Sequence, residues 1–236
     1  MDDGLRGRVA AVCVGKVGEL ESSGRTVLSA FVKRPVEGPV RVYRLGVEGD
    51  EHEYPGHGGP DGAVLVYSRD HYPFWRERGV DIPAVGAFAE NLTVDGLTEA
   101  EVRLGDVFEA GTSVLQVSEP RSPCYKIAAR YGRKDISVVV QDTGFTGYLM
   151  RVLQEGCVAA GDELRLTERD TTHHWTVAQA GRVINVDRND IDGAERLCEV
   201  EALSSAIKDK LRARIARRET LGLDLDRLYL SGQVET

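Results

Sequence analysis

The chain has 236 residues, 42% hydrophobic and 29% charged, with a formal net charge of −8. That is ordinary for a globular protein with a sizeable core, and it excludes an overall positive field toward nucleic acid or acidic membranes. No apolar run approaches the roughly 18–20 residues that a membrane span needs. Cys13, Cys124, Cys157 and Cys198 form no C-x-x-C pair, and Met1-Asp2-Asp3 carries the wrong charge for a secretory leader. The expectation is a cytoplasmic protein with reduced thiols.

Residues 8–15 read as a buried strand, 18–26 as a polar loop and 27–32 as a second strand. A turn at Lys33-Arg34-Pro35 leads into an alternating strand over 40–45. Residues 46–60 form a polar loop, 63–67 a strand, and Ser68 caps a short helix reaching residue 78. Residues 88–94 read as strand, Thr98 with Glu101 as a capping box, and 106–109 with 112–117 as a hairpin. A helix follows over 125–131. Residues 135–142 could form helix or strand, and the Val138-Val139-Val140 run favours strand. Strands over 147–153 and 158–167 complete the β-rich part.

Many short strands with glycine turns point to a closed or nearly closed β-barrel. Beyond residue 168 the pattern turns helical. Thr176 with Gln179 forms a capping box, then Ile191, Ala194, Leu197 and Cys198, and later Ile207, Leu211 and Ile215, recur at helical spacing. The predicted architecture is mostly β: a barrel-like domain with a few short helices over residues 1–168, then a three-helix domain over 169–236.

Three stretches carry chemistry. The first is Ser118-Glu119-Pro120-Arg121-Ser122-Pro123-Cys124-Tyr125-Lys126, at a strand-to-helix junction. Ser122 is expected to cap the helix. A helix N-terminus with Arg121 and Lys126 alongside favours a thiolate at Cys124. On its neighbours alone that sulfur is a nucleophile, a soft metal ligand or a buried structural thiol. The second is His57-Gly58-Gly59-Pro60-Asp61, where paired glycines can turn consecutive amides toward an anion or simply make a turn. The third is Phe88-Ala89-Glu90-Asn91-Leu92, which sets a carboxylate beside an amide.

Taken in order with Leu45-Gly46-Val47-Glu48-Gly49-Asp50, these blocks resemble the MOSC family, the domain at the C-terminus of molybdenum cofactor sulfurases. Within it they resemble the bacterial YiiM-like branch, whose members carry a small three-helix domain after the barrel. The resemblance implies binding of molybdenum cofactor, with Cys124 as the protein ligand to the metal and the catalytic residue. It makes His57, Gly58, Gly59, Lys33, Arg34 and Arg121 candidates for the cofactor's phosphate, Glu90 and Asn91 for the pterin, and Ser122 for a hydrogen bond near the metal or the helix cap alone. Gly62 departs from the family pattern, which often has Lys or Arg there.

The implied activity is reduction of N-hydroxylated small molecules such as N-hydroxylated purine bases and amidoximes. The alternative is a cofactor carrier or sulfur-handling module without turnover. No flavin, nicotinamide or Fe–S signature is present in the sequence, so electrons are expected from a separate protein. The basic run Lys208, Lys210, Arg212, Arg214, Arg217 and Arg218 reads as a solvated helix face, a dock for an acidic electron carrier, or a nucleic-acid contact against which the net charge argues. A homodimer is left open.

Overall fold

The computed structural model describes residues 4–22, 24–53 and 58–217. His57 and Arg218 therefore lie outside the described residues. The strands are β1 (Arg6–Val14), β2 (Gly18–Ser22), β3 (Arg25–Ser29), β4 (Arg34–Pro35), β5 (Val40–Tyr43), β6 (Gly46–Val47), β7 (Val64–Ser68), β8 (Leu92–Asp95), β9 (Val107–Ala110), β10 (Ser113–Pro120), β11 (Tyr148–Gln154), β12 (Gly156–Val158) and β13 (Glu163–Glu168). The α-helices are α1 (Tyr72–Glu77), α2 (Tyr125–Tyr131), α3 (Ile136–Thr143), α4 (Val177–Gly181), α5 (Ile191–Cys198) and α6 (Ser205–Arg217).

Seven strands close a barrel in the order β13-β9-β10-β11-β7-β8-β1, because β1 pairs back onto β13. Only the β7–β8 pair in that ring is parallel. Closure removes the free edges that an open sheet would expose. β4 extends β1 outside the ring, β12-β5-β6 form a small sheet, and β2 pairs with β3. The mostly-β barrel with short helices and a helical tail is the predicted architecture. Among the described residues no helix is long and apolar enough to cross a membrane.

Two apolar clusters result. The barrel core (Val12, Val66, Val94, Phe108, Leu115, Met150, Leu164) continues without a break into the tail through Val177, Ala180, Leu197 and Leu211. A second, aromatic cluster joins Tyr67, Tyr72, Trp75 and Phe88 to Ile127 of α2 and Ile136 of α3. Tyr67 stacks on Phe88 at 4.6 Å between centroids, and Trp75 Nε1 donates to the Tyr67 hydroxyl at 2.8 Å. Such ring pairs add about 0.5–1.5 kcal/mol each beyond area burial. This cluster anchors the short helix that carries Cys124 at its start.

Several local expectations are corrected. Residues 136–143, left open between helix and strand, are helix. Ile136, Ser137, Val140 and Gln141 are buried at helical spacing, and Gly144 ends the helix in the left-handed conformation at φ +74°. The β-branched run yields here to burial of one helical face. Residues 18–22, expected as loop, pair with β3 in a hairpin. Residues 88–91 are not strand: Ala89 sits at φ +65°, and the chain becomes extended only at Leu92. The stretch read as one strand over 158–167 is split into β12 and β13.

In the tail, the Thr176–Gln179 capping box forms in both directions. Between α4 and α5 lies a π-helical turn, Arg182–Val186. Arg214 is not part of a solvated face. It is buried, and its Nη1 and Nη2 donate to Val183 O and Ile184 O, each at 2.8 Å.

Candidate functional site

β10 ends at Pro120, and the chain crosses through Arg121 to Cys124, which is the N-cap of α2 with extended backbone (φ −136°, ψ 168°). Its carbonyl accepts from Ile127 N at 3.1 Å and from Ser137 Oγ at 2.9 Å, so α2 and α3 together fix the cysteine backbone. The side chain is half-buried. Ser122 is not the helix cap. No side chain caps α2, and the Ser122 hydroxyl donates to Asn185 Oδ1 of the tail at 2.8 Å.

Arg121 is buried at 9% exposure, and its guanidinium lies over the Phe31 ring at 5.9 Å. Its Nη1 has no hydrogen-bond partner among the described residues. Burial pushes its pKa below the ordinary arginine range, while Cys124, Glu90, Tyr67 and Tyr131 push the other way. Arginine keeps its charge in proteins. A buried, unpaired N–H costs about 1–3 kcal/mol, more when charged. An anion placed beside Cys124 would satisfy it with a charge-assisted bond. The donor set beside this sulfur therefore suits an anionic cofactor.

Lys126, two residues past the cysteine, pairs with Glu53 at 2.7 Å and ties that residue to α2. Gly58 and Gly59 both have left-handed backbones, at φ +82° and +85°. A Cβ on Gly58 would stand 2.8 Å from His52 Nε2, whereas Gly59 faces open space. Only glycine meets both demands at low cost. Asp61 ends this block. Its carbonyl accepts from Ser118 Oγ at 2.5 Å, and its carboxylate pairs with Arg151 at 2.9 Å and accepts from Ser205 N at 3.1 Å. The glycine turn and the Cys124 loop are thus held to the same strand.

Glu90 and Asn91 are brought into the same neighbourhood, but with their polar atoms engaged by protein. Glu90 accepts from Tyr72 OH at 2.6 Å, Phe88 N at 2.7 Å and Thr93 Oγ1 at 2.8 Å. Asn91 accepts from Leu65 N at 3.1 Å and donates to Asp50 Oδ2 at 2.9 Å, stitching β7 to the Gly49-Asp50 turn. Lys33, a phosphate candidate, is buried in an ion pair with Asp50, which also accepts from Gly15 N at 2.7 Å. Burial lowers the Lys33 pKa and Asp50 opposes that shift. Arg34, on edge strand β4, is exposed.

Other residues of this region escaped the sequence reading. Asp50 lay in a quoted block without a role. His52 lies at the surface beside Gly58, and partial desolvation lowers its pKa below the ordinary histidine range. Burial and the Glu90 charge push the Cys13 thiol up to about 12, which keeps it protonated. Asn185 carried no sequence signal, because its partner Ser122 is 63 positions away. Among the described residues no group of three His, Cys, Asp or Glu side chains is placed to hold a metal. Two clefts, one around Gly111 and Asp162 and one around Trp75 and Val139, include none of the proposed site residues.

Comparison with known proteins identifies the family. The MOSC domain model matches residues 53–165, and the YiiM-like 3-alpha helix domain model matches residues 175–218. An uncharacterized Bacillus subtilis protein, YflK, is 42% identical over 84% of this chain and 90% of its own length. Protein YiiM of Escherichia coli is 39% identical over 75% of this chain and 80% of its own. The crystal structure of YiiM from Escherichia coli superposes with a TM-score of 0.74 at 32% identity, over 95% of this chain and 99% of that one. A Gibberella moniliformis protein named reductase is 37% identical over 80% of this chain, which spans only 35% of that longer protein. The chain belongs to the MOSC-domain family, in its YiiM-like branch.

Proposed function

We propose that this chain is a cytoplasmic oxidoreductase that binds molybdenum cofactor through Cys124 and reduces N-hydroxylated small molecules, with electrons delivered by a separate protein. The observation that carries the cofactor reading is the buried Arg121 guanidinium beside Cys124, whose Nη1 lacks a partner among the described residues. Family membership and the reductase-named relative support the reaction class.

The Cys124 sulfur is a soft donor suited to a thiophilic metal. Arg121 holds an anionic group of the cofactor, and the open side of Gly59 lets a ligand approach the backbone. Arg34 remains an exposed cation near Lys33 for a phosphate. Glu90, Asn91 and the Lys33–Asp50 pair act behind this surface, as the frame that fixes the loops. When bound, molybdenum supplies the two-electron redox chemistry at the N–O bond. Each turnover consumes two electrons and two protons, and converts an N–OH group into N–H and water.

The test is molybdenum and pterin analysis of protein made in a cofactor-competent host, then a reductase assay with a chemical electron donor. Stoichiometric cofactor is expected in the wild type, with loss of both metal and turnover in Cys124→Ala. Full metal content and full turnover in Cys124→Ala would refute the reading. Cofactor without reduction of any N-hydroxylated base would instead establish a carrier.

A further inference from the structure

We infer that the helical tail is a working part of the Cys124 site: its π-helical turn delivers Asn185 to Ser122 and so sets the position of the loop that carries Arg121 and Cys124. Three observations converge on this. The turn Arg182–Val186 is π-helical, a geometry that is rare and often found at functional sites because it re-aims one side chain at a local cost. Asn185 is that side chain. It is 4% exposed, and its Oδ1 accepts the Ser122 hydroxyl at 2.8 Å.

The turn is also held from behind. Arg214 of α6 is buried and bonds the carbonyls of both Val183 and Ile184, the two residues just before Asn185. A buried cation spent on two backbone carbonyls is a costly way to stabilise a helix end, and it makes α6 the brace of the turn. The tail grips the same strand at further points. α4 lies against β10, where a Cβ built on Gly181 would meet Pro120 Cβ at 3.5 Å, Ser204 N donates to Ser118 O at 3.1 Å, and the Ser204 hydroxyl donates to Glu119. Residues 118–122 are therefore bordered along their length by the tail. In this arrangement Asn185 is a positioning residue, acting on Cys124 through Ser122.

The inference builds on the cofactor reading of Cys124, and its test separates the two. In cofactor-free protein, iodoacetamide labelling of each cysteine is followed by peptide mapping. Asn185→Ala is expected to raise the labelling rate of Cys124 relative to Cys157 about fivefold, the opening expected from loss of one buried hydrogen bond. Asn185→Asp, which keeps an oxygen acceptor, returns the ratio to that of the wild type. Buried Cys13 reports global unfolding; if it becomes labelled in Asn185→Ala, Ser122→Ala breaks the same bond from the more exposed side and decides the question.

A Cys124 to Cys157 ratio unchanged within about twofold in the folded variants overturns the inference, since one lost hydrogen bond predicts more. Protein from a cofactor-competent host adds a second readout, in which molybdenum per chain falls in Asn185→Ala and recovers in Asn185→Asp. Wild-type protein without molybdenum would defeat the cofactor reading alone, because the labelling arm still decides whether the tail positions the loop.

Discussion

Lys33 and Arg121 are both buried cations within electrostatic reach of Glu90, and the fold treats them in opposite ways. Lys33 is given a carboxylate, Asp50, which in turn takes Asn91 Nδ2 and Gly15 N. Arg121 is given an aromatic face, and an Nη1 with no partner among the described residues. A saturated buried network fixes one arrangement of the chain. An unsaturated cation holds free energy in reserve for a ligand. The difference separates frame from site more sharply than distance from Cys124 does.

The frame side of that comparison breaks most strongly at Asp50. Asp50→Ala leaves the Lys33 ammonium buried without its carboxylate, and removing one partner of a buried pair costs about 3–5 kcal/mol. Urea unfolding measures this as a lower midpoint. A loss below about 1 kcal/mol, the value of an exposed pair, would show that Lys33 reaches water. Glu90→Gln is expected to cost about 1–3 kcal/mol, because an amide puts a donor where Tyr72 OH, Phe88 N and Thr93 Oγ1 all donate.

The site side is sharpened by Arg121→Met. Replacing a buried charge with an apolar chain of similar volume is often neutral or stabilising. Stability is expected within about 1 kcal/mol of wild type or above it, while molybdenum retained per chain falls about tenfold, the equivalent of one charge-assisted hydrogen bond. Thermal unfolding and metal analysis on the same preparation check both. Equal losses in both would place Arg121 with the frame.

The barrel, the cysteine loop and the glycine turn were legible because their signals are local. Gly58 and Gly59 both require positive φ, and Cys124 follows a strand and two prolines. What was not legible depends on partners far along the chain. Lys33 looked like a free cation until the fold brought Asp50 to it, and Ser122 looked like a helix cap until Asn185 arrived. Residues 136–143 stayed open between helix and strand for a related reason: three valines favour strand locally, but the aromatic cluster buries Ile136 and Val140 one helical turn apart. A π-helical turn has no composition of its own, so the tail's reach into the site could not be foreseen.

Glu119 offers the smallest test and a third way of handling a charge, here partly buried, with a neutral hydroxyl as hydrogen-bond partner. Ser204 donates to it across the barrel–tail contact, and Lys210, Arg151 and Asp61 act on its charge from nearby. Burial raises its pKa above the ordinary 4.5, and the Ser204 bond and the two cations only partly offset that. The folded state therefore binds more protons than the unfolded state from pH 4.5 up to the raised value. Its contribution to stability is fully present below that window and is lost as pH rises through the folded pKa. Glu119→Gln keeps an acceptor for Ser204 and cannot ionise. Its stability relative to wild type should rise with pH across the window and stay higher at pH 7, as read from urea midpoints of the two proteins side by side. Asp106, also raised by burial, adds its own slope just above pH 3.8 to both proteins, so the difference between them isolates Glu119. A difference that is flat with pH would mean that solvent enters the barrel–tail contact and that Glu119 ionises as freely there as in the unfolded chain.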